Sequence, residues 1–243
     1  RFRVFAARQL DDSSLELMYV FQDGEEGYPG TLPVRVIYRV TDENALRMEW
    51  SAAAIDKETV ANFTNHTFFN LGADPTTPVL DTEVTIHADR FIALDEGGFP
   101  SGELRTVDGS ALDFRAARSV AAGLALEDEQ VRRANGFDHH FVLNRQGTAE
   151  RLAFAARAYH PASGRQLEVW SSEPGMQFFT GNNLAGKLPV DAGKDGKAFV
   201  FRGGFCMEPS RFPDSPNHPE LPSTSVKPGE FYTGCIEYRF SAR

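Results

Sequence analysis

The chain has 243 residues, of which 41% are hydrophobic and 24% are charged, and its formal net charge is −9. This charge argues against a nucleic-acid partner, because phosphate contacts need clustered Lys and Arg. No apolar run reaches the roughly 18 residues of a membrane-spanning helix, so we expect no membrane partner either. The 2 cysteines and an N-terminus without a signal-peptide pattern predict a location in the reducing cytoplasm.

Alternating apolar and polar residues predict strands along most of the chain. The pattern is clear at residues 46–51, 84–88, 167–171 and 235–240, and turn residues such as Gly and Pro separate these segments. Ala116–Ala134 has loose helical spacing instead, which predicts a short helix or helical loop. We therefore expect an all-β fold, an antiparallel β-sandwich with little helix, and a single domain over residues 1–243.

The segment Asn62–Asn70 also alternates, and as a strand it places His66 and Phe68 on one face together with Asn and Thr side chains. An aromatic ring beside convergent polar groups suits a sugar, which has an apolar ring face and hydroxyl groups around its edge. The alternative is a buried histidine with satisfied hydrogen bonds.

In the segment 136–143, alternation sends Asp138 and His140 to one side and His139 to the other. Adjacent histidines whose rings point apart do not favour a metal site. Asp138 is a candidate acceptor for sugar hydroxyl groups, although an Asp closing a turn after Gly136 explains the sequence equally well.

Glu208 ends the apolar stretch Phe205–Met207 and precedes a proline that favours extended backbone. A carboxylate in such surroundings should be partly desolvated, which raises its pKa toward values useful for a general base. The alternative is a solvated glutamate at the end of a strand.

Six segments, in this order, resemble the aldose 1-epimerase (galactose mutarotase) family, and together they span nearly the whole chain. They are DGEEGYPG at 23–30, NHTFFNL at 65–71, PSGE at 100–103, GFDH at 136–139, QFFTGN at 177–182, and FCMEP at 205–209 with PDSPN at 213–217.

The resemblance implies a large antiparallel β-sandwich with an open sugar-binding cleft. It also implies an isomerase that interconverts the α and β anomers of a free aldose, a hexose such as galactose or glucose, with no cofactor and no metal. By motif position, Glu208 is the expected general base, His66 the general acid and Asp138 a sugar-binding carboxylate. We expect four further sugar contacts, namely Asn65, Phe68, Gln177 and Phe178.

The sequence departs from the family in two places. The family's N-terminal Gly-Arg-x-x-Asn-Arg and His-Gly-Gly stretches, which supply a sugar-binding Arg and a second binding His, have no counterpart. We therefore expect a domain truncated at its N-terminus and a sugar that is oriented less well. Ser210 stands where the family often has Gln, which bears on sugar preference.

Two other functions remain open at this point. A non-catalytic carbohydrate-binding module could use the same sandwich, because a fold does not fix a function. A glycosidase or lyase could use Asp138 and Glu208 as paired carboxylates about 5–9.5 Å apart. Mutarotation instead requires His66 and Glu208 to face each other, and we expect their tips to be about 5–8 Å apart. His139 should point away from that cleft.

Overall fold

The structure is a computed structural model that describes residues 2–145 and 152–243. Strands dominate these residues, and the α-helix within them is confined to α1 (Val120–Leu124) and α2 (Glu129–Arg133). The strands are β1 (Ala6–Asp11), β2 (Ser14–Phe21), β3 (Leu32–Val40), β4 (Ala45–Ala53), β5 (Thr59–Val60), β6 (Glu83–Ile86), β7 (Ala88–Leu94), β8 (Pro100–Thr106), β9 (Arg118–Ser119), β10 (Asp138–Leu143), β11 (Ala153–Tyr159), β12 (Arg165–Ser171), β13 (Gly175–Phe179), β14 (Cys206–Ser210), β15 (Ser225–Val226) and β16 (Phe231–Ala242). The expected all-β fold with little helix is confirmed.

Two antiparallel sheets organise the described part of the chain. The large sheet has nine strands in the order β1-β2-β3-β4-β16-β12-β11-β6-β9. The second sheet, called the site sheet below, has five strands in the order β14-β13-β10-β7-β8, and β15 pairs with β5 separately. Every neighbouring pair of strands in the site sheet is antiparallel.

A shared hydrophobic core joins the two sheets. Trp50 and Ile236 from the large sheet belong to the same buried cluster as Phe141, Phe178 and Met207 from the site sheet. Because successive side chains of a strand point to opposite faces, these inward residues alternate with residues that face outward. The outward residues of the site sheet are therefore the ones available to a ligand.

Both helices begin at side-chain caps and lead the chain toward the site sheet. The Ser119 hydroxyl accepts from the amide of the third residue after it, and Asp128 caps α2 in the same manner. Asn135 then adopts a left-handed φ of 53°, which ends α2 just before β10. Both helices lie within the segment where the sequence predicted helix. No helix in residues 2–145 or 152–243 is long and apolar enough to cross a bilayer.

The strands expected from alternation are present, with one informative difference. Residues 46–51, 167–171 and 235–240 lie in β4, β12 and β16. The segment 84–88 is divided at His87, where the chain leaves the large sheet at the end of β6 and enters the site sheet as β7. The alternation continues through this change of sheet, so it does not reveal the break.

A buried carboxyl group, that of Glu173, lies between β12 and β13. Glu173 is 3% exposed, and its Oε2 accepts a hydrogen bond from Tyr232 at 3.2 Å. Arg211 lies over the Tyr232 ring at 3.7 Å. Burial raises the pKa of Glu173 to about 7, against the opposing effects of Tyr232, Arg211 and Arg145. Folding therefore favours the protonated form of this group.

We expect Glu173→Gln to change how stability depends on pH. The raised folded-state pKa means that the native state binds more protons than the unfolded state between about pH 4.5 and 7. The contribution of Glu173 to the free energy of unfolding is therefore complete below pH 4.5, and it is lost as the pH rises through 7. The neutral amide should abolish this loss. At pH 8 the free energy of unfolding of the variant should therefore rise relative to that of the wild type by on the order of 3 kcal/mol. Urea unfolding of both proteins at pH 5 and pH 8 measures the change, and equal differences at the two pH values would contradict it.

Candidate active site

The outer face of the site sheet is polar where β10, β13 and β14 run side by side. In this register Gln177 lies opposite His140 on one neighbour and opposite Glu208 on the other. Paired residues point to the same side of a sheet, and residues two apart along a strand share that side. Asp138 and Cys206 therefore lie on the outer face with these three residues.

Glu208 is a buried carboxylate on this face, with 6% of the residue exposed. Burial, and after it the negative charge of Asp138, raise its pKa to about 7, because both disfavour the ionised form. A carboxyl group whose pKa lies near neutrality can take and return a proton efficiently. The solvated strand-end glutamate that the sequence left open is excluded.

The His66 ring lies next to Glu208 on the solvent side of the site sheet. Its Nε2 lies 3.6 Å from Glu208 Oε1, and its Nδ1 lies 3.5 Å from Cys206 Sγ. The imidazole is 58% exposed, whereas the Glu208 side chain is only 8% exposed. The two groups are thus closer than the separation of about 5–8 Å expected from hydrogen-bond lengths to a sugar, because an imidazole and a carboxylate attract each other directly.

The alternation at residues 62–70 does not produce the expected strand, and the structure has an extended loop there. Apart from one isolated antiparallel bridge between Phe69 and Phe205, asparagine side chains take the place of backbone pairing. Asn62 exchanges two hydrogen bonds of 2.9 Å with the backbone of Arg211, and Asn70 donates to backbone carbonyl groups farther along. Such side-chain bonds to the backbone compete with sheet pairing. The loop is therefore fixed at both ends, with His66 between the two anchors.

Asp138 and Gln177 form a second polar pair on the outer face. Gln177 Nε2 donates to Asp138 Oδ1 at 2.7 Å. Burial raises the pKa of Asp138, while the Gln177 bond and the nearby His66 oppose this increase. The neighbouring His140 is buried, and its pKa falls to about 3, so its ring is neutral. A Cβ at Gly175 would overlap His140 Nε2, so only glycine leaves room for this ring.

The aromatic rings near the site divide between the two faces of the sheet. Phe68 packs beside His66 with ring centroids 5.4 Å apart, and against Phe179 at 5.9 Å. Phe178 is fully buried in the core between the sheets, so the expectation that it contacts a sugar on the outer face is wrong. Period-two alternation turns it inward. Phe179 is the ring that the sequence reasoning missed, and its position two residues after Gln177 is the signal that identifies it.

Asn65, an expected sugar contact, already has partners within the protein. Its amide nitrogen donates to the Tyr38 hydroxyl at 3.2 Å, and its amide oxygen accepts from the Thr67 backbone at 3.1 Å. Its main-chain carbonyl accepts from the Tyr238 hydroxyl at 3.3 Å. Asn65 thus helps to hold the loop beside His66, and its contact with a sugar remains a prediction.

Two neighbours of the expected site residues complete the arrangement. His139 is fully buried, and its ring lies 5.9 Å from that of Phe91, so it points away from the outer face as alternation requires. Cys206 is a free, fully buried cysteine, and burial raises the pKa of its thiol. The sequence reasoning gave Cys206 no role, although its spacing of two residues from Glu208 places both on one face.

A cavity of about 610 Å³ lies next to the loop that carries His66, but neither His66 nor Glu208 lines it. Its walls include Asn62 and Phe63 on one side and Phe212 and Pro216 on the other. Phe212 packs edge-on against His140, with ring centroids 5.4 Å apart. The proline-rich loop after β14 therefore forms a wall of this cavity, while His66 and Glu208 lie on the adjacent outer face.

Fold and site together define an antiparallel β-sandwich protein in which a loop places an imidazole opposite a buried carboxylate of the five-stranded site sheet. Residues 1–239 match the family model described as aldose 1-epimerase. The chain belongs to the aldose 1-epimerase family.

Relatives and solved structures agree with this membership. The chain is 42% identical over 229 residues to galactose mutarotase of Bos taurus, a match covering 94% of this chain and 63% of that protein. It is 36% identical over 222 residues to aldose 1-epimerase of Escherichia coli (strain K12), covering 90% of this chain and 62% of that protein. This chain therefore spans less than two thirds of the length of these relatives.

Among solved structures, galactose 1-epimerase from Lactobacillus acidophilus superposes with a TM-score of 0.82 at 27% identity, covering 99% of this chain and 67% of that one. The GalM/aldose epimerase homologue from C. elegans has a TM-score of 0.86 at 24% identity, covering 99% and 69% of the two chains. The latter similarity supports the fold alone.

We expect aromatic rings on the two sides of the site sheet to respond differently to substitution. Phe178→Leu should lower the free energy of unfolding by roughly 1–3 kcal/mol, because it opens space in the packed core. Phe68→Leu should lower it by less than about 1 kcal/mol, since Phe68 is only partly buried. Urea denaturation of both variants measures the contrast, and a larger loss for Phe68→Leu would show that the assignment of faces is wrong.

Proposed function

We propose that this chain is an isomerase that interconverts the α and β anomers of a free aldose. The observation that carries the proposal is the His66–Glu208 pair, with 3.6 Å between Nε2 and Oε1, on the outer face of a sandwich of the aldose 1-epimerase family. The substrate is a hexose such as galactose or glucose, and the name of the bovine relative, galactose mutarotase, supports this choice.

The two groups must act on two neighbouring oxygen atoms of the sugar. In a pyranose, O1 and the ring oxygen are bonded to the same carbon and lie roughly 2.3 Å apart, and each needs a hydrogen bond of about 2.6–3.2 Å to its catalytic atom. The two groups are 3.6 Å apart, closer than the separation of about 5–8 Å that these lengths predict, so the imidazole has to move outward for both groups to reach their oxygens. The exposed imidazole leaves the approach open from the solvent side.

The reaction needs one base and one acid. The Glu208 carboxylate takes the proton of the C1 hydroxyl group while His66, as imidazolium, gives a proton to the ring oxygen, and the bond from C1 to the ring oxygen breaks. The resulting aldehyde rotates about the C1–C2 bond. The two groups then act in reverse, so that the ring oxygen attacks the opposite face of C1 and the other anomer forms. This proton-transfer chemistry requires no cofactor.

Neighbouring residues provide binding and orientation. Asp138 and Gln177 can accept from and donate to sugar hydroxyl groups, and their mutual bond of 2.7 Å holds both side chains on the face beside Glu208. Phe68 offers part of its ring beside His66, which suits the apolar face of a pyranose. The proposed roles of these residues follow from their position around one acid/base pair.

The proposal also includes the setting of the protein. A single domain is supported by the hydrophobic core that strands of both sheets share. A reducing cytoplasm is supported by the two cysteines, Cys206 and Cys235, which are both free.

Glu208→Gln should reduce the catalysed interconversion by at least about 10²–10⁴-fold, because the amide keeps the size of the side chain but cannot accept the O1 proton. The assay is polarimetry on freshly dissolved α-galactose and α-glucose, corrected for the uncatalysed rate. Glu173→Gln is the matched control, since Glu173 is another buried glutamate whose pKa is raised to about 7 but which lies outside the site.

The outcomes separate the functions. A wild-type rate in Glu208→Gln would refute the base assignment. Sugar binding by the wild type without rate enhancement would favour a non-catalytic carbohydrate-binding module. Release of sugar from an α- or β-glycoside would favour hydrolysis by Asp138 and Glu208.

Asp138→Asn should act mainly on binding. We expect KM for the sugar to rise by roughly tenfold or more, because a charge-assisted hydrogen bond to a hydroxyl group is lost, while kcat should fall less. Initial polarimetric rates over a range of sugar concentrations give both constants. A fall in kcat with an unchanged KM would instead place Asp138 in the proton-transfer step.

A further inference from the structure

A sulfur ligand lies next to the acid/base pair and has no part in the proposed reaction. His66, Cys206 and Glu208 each offer one ligand atom, and these atoms all lie within 4.8 Å of one another. They supply a nitrogen, a sulfur and a carboxylate oxygen. Among the residues that the structure describes, these are the three His, Cys, Asp or Glu side chains whose ligand atoms come this close together.

Two contacts among these residues are as long as the distances between ligand atoms of a tetrahedral zinc site. With Zn–S near 2.3 Å, and Zn–N and Zn–O near 2.0–2.1 Å, tetrahedral angles place S and N about 3.6 Å apart and N and O about 3.3 Å apart. The observed contacts are 3.5 Å from Cys206 Sγ to His66 Nδ1 and 3.6 Å from His66 Nε2 to Glu208 Oε1.

The two contacts use different ring nitrogens, so a metal ion requires the imidazole to turn. His66 is free to do so, because it lies on a loop with 58% of its side chain exposed. Cys206 and Glu208 are held two residues apart on the same face of β14, and therefore form a fixed pair of ligands. A small rotation of one exposed ring brings a single nitrogen toward that pair.

We propose that His66, Cys206 and Glu208 form an inhibitory site for Zn²⁺, with the fourth coordination position open to the outer face. Mixed nitrogen and thiolate ligation selects Zn²⁺ over Mg²⁺ and Ca²⁺, which prefer oxygen ligands. The inhibitory effect rests on the proposed function, because the ion occupies both groups that transfer protons. The binding of Zn²⁺ does not depend on the proposed function.

Binding is a ligand exchange without any redox change. The hydrated Zn²⁺ ion loses water molecules, the Cys206 thiol releases its proton to solvent and forms the Zn–S bond, neutral His66 gives a nitrogen lone pair, and the Glu208 carboxylate gives an oxygen. The two negative ligands balance the charge of the ion. Burial holds the proton on Cys206 firmly by raising the pKa of its thiol, so Zn²⁺ must displace it. We therefore expect weaker binding than at a structural zinc site.

The test is calorimetric titration of the chain with zinc chloride, with magnesium chloride as the comparison metal. The wild type should bind an equivalent of Zn²⁺ that Cys206→Ser loses or binds more weakly. Loss of a direct ligand should weaken binding by at least the roughly 10–100-fold that is typical for loss of an outer partner. Cys235→Ser is the matched control, since Cys235 is also a free, buried cysteine but lies on the large sheet.

His66→Ala is a second variant whose exposed position on a loop spares the fold, and it should lose the same equivalent. Equal Zn²⁺ affinity in the wild type, Cys206→Ser and His66→Ala would overturn the site, as would equal affinity for Mg²⁺. Polarimetry provides the second readout, in which the rate should fall with Zn²⁺ occupancy and recover when a chelator is added. Zn²⁺ binding by a chain without mutarotase activity would refute the proposed function and leave the metal site intact, whereas activity with no Zn²⁺ binding would do the reverse.

Discussion

The site depends on the register in which β10, β13 and β14 pair. This register aligns Gln177 with His140 and Glu208, and the alternation of side chains then decides which residues face the core. A slip of one residue in β14 would turn Glu208 into the packed core and bring Met207 to the outside. The hydrophobic contacts of Met207 and Phe178 within the core are therefore what holds the carboxylate on the outer face.

Burial of the Glu208 carboxyl group disfavours its ionised form. The same effect brings its pKa close to neutrality, which is what the proposed general base requires. Glu208 and Asp138 lie on one poorly solvated face, and each makes ionisation of the other less favourable. The pKa of Glu208 rises to about 7 through burial and this repulsion. His66 acts on the other carboxyl group of this face, because its charge lowers the pKa of Asp138 against the effect of burial. A carboxyl group with a pKa near neutrality and an exposed imidazole beside it thus arise from one arrangement of three side chains.

Much of the fold could be predicted from the sequence, because alternation is a direct consequence of strand geometry. The strands at 46–51, 167–171 and 235–240 follow from this alternation, whereas loose helical spacing of apolar residues predicted the helical segment within 116–134. The same rule fails at 62–70, where Asn62 and Asn70 bind backbone groups with their side chains. Alternation there reflects anchoring of a loop and not pairing in a sheet.

The site could be predicted only in part. The expected burial of Glu208 and the inward direction of His139 follow from local sequence, and the structure confirms both. The contact between His66 and Glu208 does not follow, since it depends on how a loop and a distant strand meet in three dimensions. Phe178 shows a different limit. Its motif suggested a sugar contact, but alternate residues of β13 point to opposite faces of the sheet. Phe178 therefore points into the core, and Phe179 lies on the outer face.

The small side chain of Cys206 is a further consequence of this packing. Cys206 lies opposite Phe179 in the sheet and within 3.5 Å of His66 Nδ1, so it fills the space beneath the imidazole. A larger residue would push the ring away from Glu208, and a smaller one would leave a gap that the ring could enter. Cys206, which fits between the His66 ring and the site sheet, thus also carries a thiol that binds soft metal ions. The close packing around His66 and Glu208 is thus also the geometry from which we infer a Zn²⁺ site.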